Sequence, residues 1–222
     1  MAAAAINGAR PSNRGRKWLS LALRAVAVVA AGVLLAIAWR ANHVWHQRAI
    51  VDHVATLDAH VVYDYGRAGI DHPPGPSWLR QLLGDDFLAD VVGIEVSIPA
   101  SDETLAAISA LPHLKFLVLR EGLDDAAMAL LLDARELEQL QFASPLVTDA
   151  GLSQLARLKH LTRLSIGAPQ VTDNGLLLLE SLPNLSYVEL IATGVTESGA
   201  GRLRAALPNC DVRIVSESPL RL

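Results

Sequence analysis

The chain is expected to be α/β. About five strand–helix repeats of 23–24 residues would stack as a solenoid, with a parallel sheet on the concave face and short helices on the convex face, behind an N-terminal transmembrane helix. Three observations predict this. A 22-residue stretch near the start carries a single charge; an L-x-x-L-x-L spacing recurs every 23 or 24 residues; and a second apolar register follows each copy at a fixed offset. Composition agrees. Of 222 residues, 51% are hydrophobic and only 5% aromatic, which suits a membrane span or a Leu/Ala-rich repeat and is too apolar for a disordered chain. A single Cys excludes a disulfide framework and any multi-cysteine metal site.

The formal net charge of −4 hides a split. Residues 1–48 hold seven basic residues (Arg10, Arg14, Arg16, Lys17, Arg24, Arg40, Arg48) and no acidic one, giving +7; the rest of the chain is −11. Residues 1–17 read as a basic cytoplasmic tail and 18–40 as a transmembrane helix, long enough for the roughly 20 residues that a hydrocarbon core requires. Trp18 and Trp39 bracket it at interfacial positions, and Arg24 can snorkel outward. The basic excess before the span predicts an N-terminus inside the cytoplasmic membrane and the remainder outside. The competing expectation is a signal peptide cleaved after Ala38, since Ala36 and Ala38 fit a small-x-small site, which would leave a secreted or periplasmic protein.

Residues 41–77 are expected to be a juxtamembrane helix and a Pro/Gly loop. Ile50, Val54, Leu57 and Val61 make one apolar helical stripe through 41–63, and the turn-rich segment 64–77 follows. His43, His46, His53 and His60 fall here, but seven-residue steps are about 10 Å apart along a helix, too far for one metal site. Ser77 is expected to cap a helix over 78–90 that closes the start of the repeats, with Asp85, Asp86 and Asp90 in its later part.

The repeats occupy 91–215, followed by a tail, 216–222. Their strand positions are Val91/Ile94/Val96, Leu114/Leu117/Leu119, Leu137/Leu140/Phe142, Leu161/Leu164/Ile166 and Leu185/Val188/Leu190, with Val212 and Ile214 in a last strand. Helical edges follow at Leu105/Ile108/Leu111, Met128/Leu131/Ala134, Leu152/Leu155/Leu158, Leu176/Leu179/Leu182 and Ala200/Leu203/Ala206. Between strand and helix stand Val147-Thr-Asp-Ala-Gly-Leu152, Val171-Thr-Asp-Asn-Gly-Leu176 and Val195-Thr-Glu-Ser-Gly-Ala200. Thr148, Thr172 and Thr196 are natural N-caps, each followed by an acid that suits the helix dipole. No unit can bury its own apolar edge, so the units must stack.

L-x-x-L-x-L followed by V-T-D-x-G-L resembles the leucine-rich repeat family, and most of all its membrane-anchored bacterial members with ribonuclease-inhibitor-like repeats. The resemblance covers 91–215 and implies a binding scaffold rather than a reaction. Where that family places Asn, Cys or Thr to bond the turn backbone, this chain has Gly122, Pro145, Pro169 and Thr193. No side-chain ladder is therefore expected across the first three, leaving those turns to backbone or water.

Residues between the strand leucines should point away from the core. One column reads Gly93, Phe116, Gln139, Arg163, Tyr187, Asp211; its neighbour reads Glu95, Val118, Gln141, Ser165, Glu189, Arg213. Phe116, Gln139, Gln141, Arg163, Tyr187 and Glu189 are the expected partner-binding residues, since aromatic and Arg side chains on adjacent rungs are what protein interfaces favour. No Gly-rich phosphate loop, G-x-S-x-G, H-E-x-x-H or paired-cysteine motif occurs, so no catalytic residue, cofactor or metal is expected. His113 and His160 sit at helix-to-strand turns, as does Asn184 of the Asn184-Leu-Ser186 sequon; Cys210 opens the last strand. Nucleic acid is disfavoured by the −11 charge. The sequence therefore points to a non-catalytic scaffold that recognises a protein partner. The alternatives are a self-associating envelope protein, joined through the last strand or the 50–61 stripe as a homo-oligomer, and an enzyme inhibitor or regulator by family analogy.

Overall fold

A computed structural model of the chain describes residues 13–215 except 58, 68, 71, 85 and 86. The basic stretch 1–12, the tail 216–222 and Asp85/Asp86 thus lie outside the described residues, as do the side chains of 13–22. The chain divides into two compact units, Met1–Val44 and Trp45–Leu222, and helix α1 (Asn13–Ala55) contributes to both.

In the first unit α1 is long and apolar enough to cross a membrane, and none of its apolar stretch is buried. Leu23, Val26, Val28, Val29, Val33, Leu34, Leu35 and Ile37 all stand exposed. Such a surface is costly in water and natural in lipid.

The second unit is mixed α/β around a seven-stranded sheet in the sequential order β1 (Ala59–Tyr63), β2 (Val91–Val96), β3 (Phe116–Leu119), β4 (Gln139–Ala143), β5 (Arg163–Gly167), β6 (Tyr187–Ile191) and β7 (Asp211–Val215). β2 to β7 are parallel and in register: Ile94, Leu117, Leu140, Leu164, Val188 and Val212 form one row. That row and the next (Val96, Leu119, Phe142, Ile166, Leu190) face helices α4 (Asp102–Ser109), α5 (Asp125–Leu130), α6 (Asp149–Gln154), α7 (Asp173–Leu179) and α8 (Glu197–Ala206) in one continuous core.

The start of this unit departs from expectation. The 41–63 helix ends at Ala55, and Ala59–Tyr63 forms β1, antiparallel to β2, with Val61 opposite Ile94 and Val62 opposite Gly93. Val61, Val62 and Tyr63 are strand formers, and pairing here covers an edge of β2 that would otherwise stay open. Val61 still faces the core, so its place in the apolar stripe matched for the wrong reason. The heptad relation of the histidines is broken with the helix: His53 Nε2 lies 3.0 Å from Thr104 Oγ1, whereas His60 sits on β1. The 64–77 loop contains a short helix α2 (Asp64–Arg67). The expected 78–90 helix is α3 (Ser77–Leu83), which Ser77 begins rather than caps. Gly84 stops it at φ 85°, where only glycine sits without strain, and its N–H donates to Arg80 O.

The turns between strand and helix correct a second expectation. A side-chain ladder does exist, three and four positions beyond Gly122, Pro145, Pro169 and Thr193. Thr148 donates from N and Oγ1 to the carboxylate of Asp125 (2.8 and 2.6 Å), Thr172 likewise to Asp149 (2.7 and 2.6 Å), and Thr196 to Asp173 (both 2.8 Å). The same threonines cap α6, α7 and α8 through Ala150, Asn174 and Gly199 N–H. The glycine of the motif follows from this joint. A Cβ on Gly151, Gly175 or Gly199 would lie 2.2, 2.4 or 2.1 Å from the Asp Oδ1 of the preceding unit. At the Pro145 turn, buried Ser144 donates to Leu123 O and accepts from Leu146 N.

Candidate functional site

Side chains at the intervening strand positions emerge on the sheet face opposite the helices. Registers align Phe116, Gln139, Arg163 and Tyr187 across β3–β6, with Val118, Gln141, Ser165 and Glu189 beside them. All six residues singled out from the sequence (Phe116, Gln139, Gln141, Arg163, Tyr187 and Glu189) line one shallow cleft of about 150 Å³.

Its centre is Tyr187. The Arg163 guanidinium carbon lies 6.0 Å from the ring centroid and that of Arg213 5.6 Å, so the ring is flanked by two cations, an attraction of about 0.5–1 kcal/mol each where solvent is near. Tyr187 Oη donates to Glu189 Oε1 (3.3 Å) and Ser165 Oγ to Glu189 Oε2 (3.0 Å), which holds the carboxylate between them. Burial, and then the Glu189 carboxylate, push the Tyr187 phenol above its ordinary value, so it stays a neutral donor. Arg213 is tied to Asp211, Nη2 to Oδ2 at 2.7 Å, and that bond raises its pKa. Arg163 is exposed and, among the described residues, has no ion-pair partner.

Phe116 sits differently from the others. A Cβ on Gly93 would meet its Cδ1 at 2.9 Å and Val62 Cβ at 3.2 Å, so its ring lies across the glycine beside β1. It is half-buried rather than free. Sequence reasoning missed this because β1, which supplies Val62, was read as helix.

A larger hollow of about 550 Å³ went unnoticed in the sequence. It opens at the C-terminal ends of β3–β6, lined by Arg120, Ala143, Pro145, Gly167, Pro169 and Ile191 among others. Ala143, Gly167 and Ile191 lie two residues beyond Gln141, Ser165 and Glu189 on the same strands, hence on the same face. The signal was present in the small residues and prolines where the family pattern has a polar turn residue. Its walls are mainly apolar, and its one cation, Arg120, is engaged by Glu95. Charged, amide and aromatic side chains therefore gather in the smaller cleft.

Other noted residues are absorbed locally. Asn184 Nδ2 donates to Lys159 O (2.7 Å), His113 Nδ1 lies 3.3 Å from Glu136, and Cys210 is buried, with its thiol pushed up by that burial and by Asp211. Among the described residues no three His, Cys, Asp or Glu side chains gather as a metal site would need. Searched against protein-family models and curated proteins, this chain matches no family model and no curated protein.

Proposed function

We propose that this is a membrane-anchored leucine-rich repeat protein that recognises a protein partner, without catalysis, on the sheet face bearing the Tyr187 cleft. In that reading residues 91–215 form a solenoid, the cleft lies on its concave side, α1 anchors the chain, and the sheet unit lies outside the cytoplasmic membrane. The observation that carries it is the cleft itself. Arg163 stands over Tyr187 with no carboxylate of its own, and the Gln139 and Gln141 amides stand beside it with acceptors and donors to offer. A neutral phenol, a free guanidinium and two amides suit a polypeptide surface that carries an acidic side chain.

Replacing Arg163 by Glu together with Tyr187 by Ala should abolish crosslinking of the full-length protein to its partner in native membranes. Interface anchors of this type are worth about 2 kcal/mol or more, roughly thirty-fold in affinity. An unchanged crosslinked product would remove the reading. Self-association through the last strand is the weaker alternative. The Arg204 guanidinium donates twice to Val212 O (3.0 and 2.8 Å), occupying a carbonyl that edge pairing would need.

A further inference from the structure

Apolar side chains are left uncovered at one end of the sheet unit. On α3, Trp78 and Leu82 are four residues apart, hence on one helical face, and are 63% and 72% exposed. Trp45, the first residue of the unit, is 72% exposed. Side-chain contacts bring the two segments together. Arg48 Nη2 lies where a Cβ on Gly84, the end of α3, would be 2.5 Å away, and Gln47 bridges Ala89 O and Val91 N (both 3.2 Å). The first turn of the unit therefore stands at the C-terminal end of α3. In the sequence Trp45 follows Trp39, at the end of the apolar stretch, by only six residues. Basic residues of the same unit accompany the patch: Arg48 and Arg80.

Together these point to one occupant. We propose that α3 and Trp45 rest on a phospholipid surface, with Trp78 and Leu82 inserted at the boundary of headgroups and acyl chains of the membrane that α1 enters. The inference rests on the anchor reading of α1. Indole rings favour that boundary, apolar faces of surface helices enter it by about 5–10 Å, and guanidinium groups meet its phosphates. Tethering removes most of the entropic cost of docking, so two large side chains suffice where a free helix would need more.

The test uses full-length protein in vesicles of phosphatidylcholine and phosphatidylglycerol carrying bromine at shallow or deep acyl positions. One variant keeps Trp78 as sole tryptophan (Trp18→Phe, Trp39→Phe, Trp45→Phe); another keeps Trp39 alone. Expected is loss of Trp78 emission with shallow bromines, protection from iodide, and loss of Trp39 emission in the same lipids. If Trp39 is quenched while Trp78 stays open to iodide and untouched by bromine, the proposal fails and the anchor stands. If Trp39 is unquenched, both fall. Shielding of Trp78 that grows with protein concentration and ignores bromine would assign the patch to a second copy, which also overturns the proposal.

Discussion

The interior of the sheet and its two ends are held by different chemistry. From β3 to β6 each strand–helix unit is joined to the next by the same device: an Asp carboxylate that takes two bonds from the next Thr, over a Gly that leaves it room. At the β1 end nothing repeats. An antiparallel strand covers β2, Gln47 satisfies Ala89 and Val91, and Val54 enters the core from α1. Among the described residues, the β7 end is thinner still, with β6 as its one neighbour strand and Arg204 donating to the Val212 carbonyl. Inside the sheet the same Asp–Thr–Gly contact recurs at three successive joints. Each end meets something unique and needs residues that no periodicity announces.

The largest expected effect tests interior against end. Leu164, fully buried in β5, should cost about 2–5 kcal/mol when replaced by Ala, and urea unfolding would read it as a lower midpoint at unchanged slope. Ile214 on β7 is only partly buried, so Ile214→Ala should cost on the order of 1 kcal/mol. Equal losses would mean that β7 is covered as fully as the interior, and that end and interior are held alike.

A smaller effect isolates the joint. Asp149→Ala leaves Thr172 N–H and Oγ1 without their acceptor and should cost about 1–3 kcal/mol. Gly175→Ala alone should also destabilise, because its Cβ would be 2.4 Å from Asp149 Oδ1. With Asp149 already replaced, the Gly175→Ala change should reverse sign. The carboxylate is gone, Leu152 Cδ2 at 3.1 Å is a side-chain end that can give way, and Ala is favoured over Gly inside a helix by up to about 1 kcal/mol. A double-mutant cycle reads the coupling directly, and additivity would show that the glycine is there for another reason.

What could be read from the sequence follows the same division. Strand and helix positions of the periodic part, the Thr caps, and the convergence of Gln139, Arg163 and Tyr187 on one face all follow from spacing, since a fixed period forces equal positions into one row. The Asp–Thr–Gly joint was visible letter by letter but unread, because its partners lie 23 residues apart and only the packed units bring the carboxylate onto the glycine. β1 was misread because Val61 satisfies both a helical stripe and a strand facing Ile94. Five residues with a competing helical period carry too little pattern to decide. The Phe116 ring over Gly93 was out of reach for the same reason, as it needs Val62 in place.

The smallest effect concerns the last joint, and its sign follows from charge. Two bonds from Thr196, the backbone one foremost, together with nearby Arg202, hold the Asp173 carboxyl below its ordinary value of 3.8. A carboxylate held ionised by folding stabilises the folded state above the unfolded pKa, and that contribution is lost as pH falls through the lower, folded one. Asn at position 173 cannot titrate, and every other group is common to both proteins, so the difference between them reports Asp173. The stability gap between wild type and Asp173→Asn should therefore be constant at neutral pH and narrow below about pH 4. Denaturant titrations across that range measure it. A gap that held its size into acid would mean that Thr196 bonds a protonated carboxyl as well as a charged one. The joint would then depend on shape and hydrogen bonding alone, and the interior units would owe nothing to ionisation.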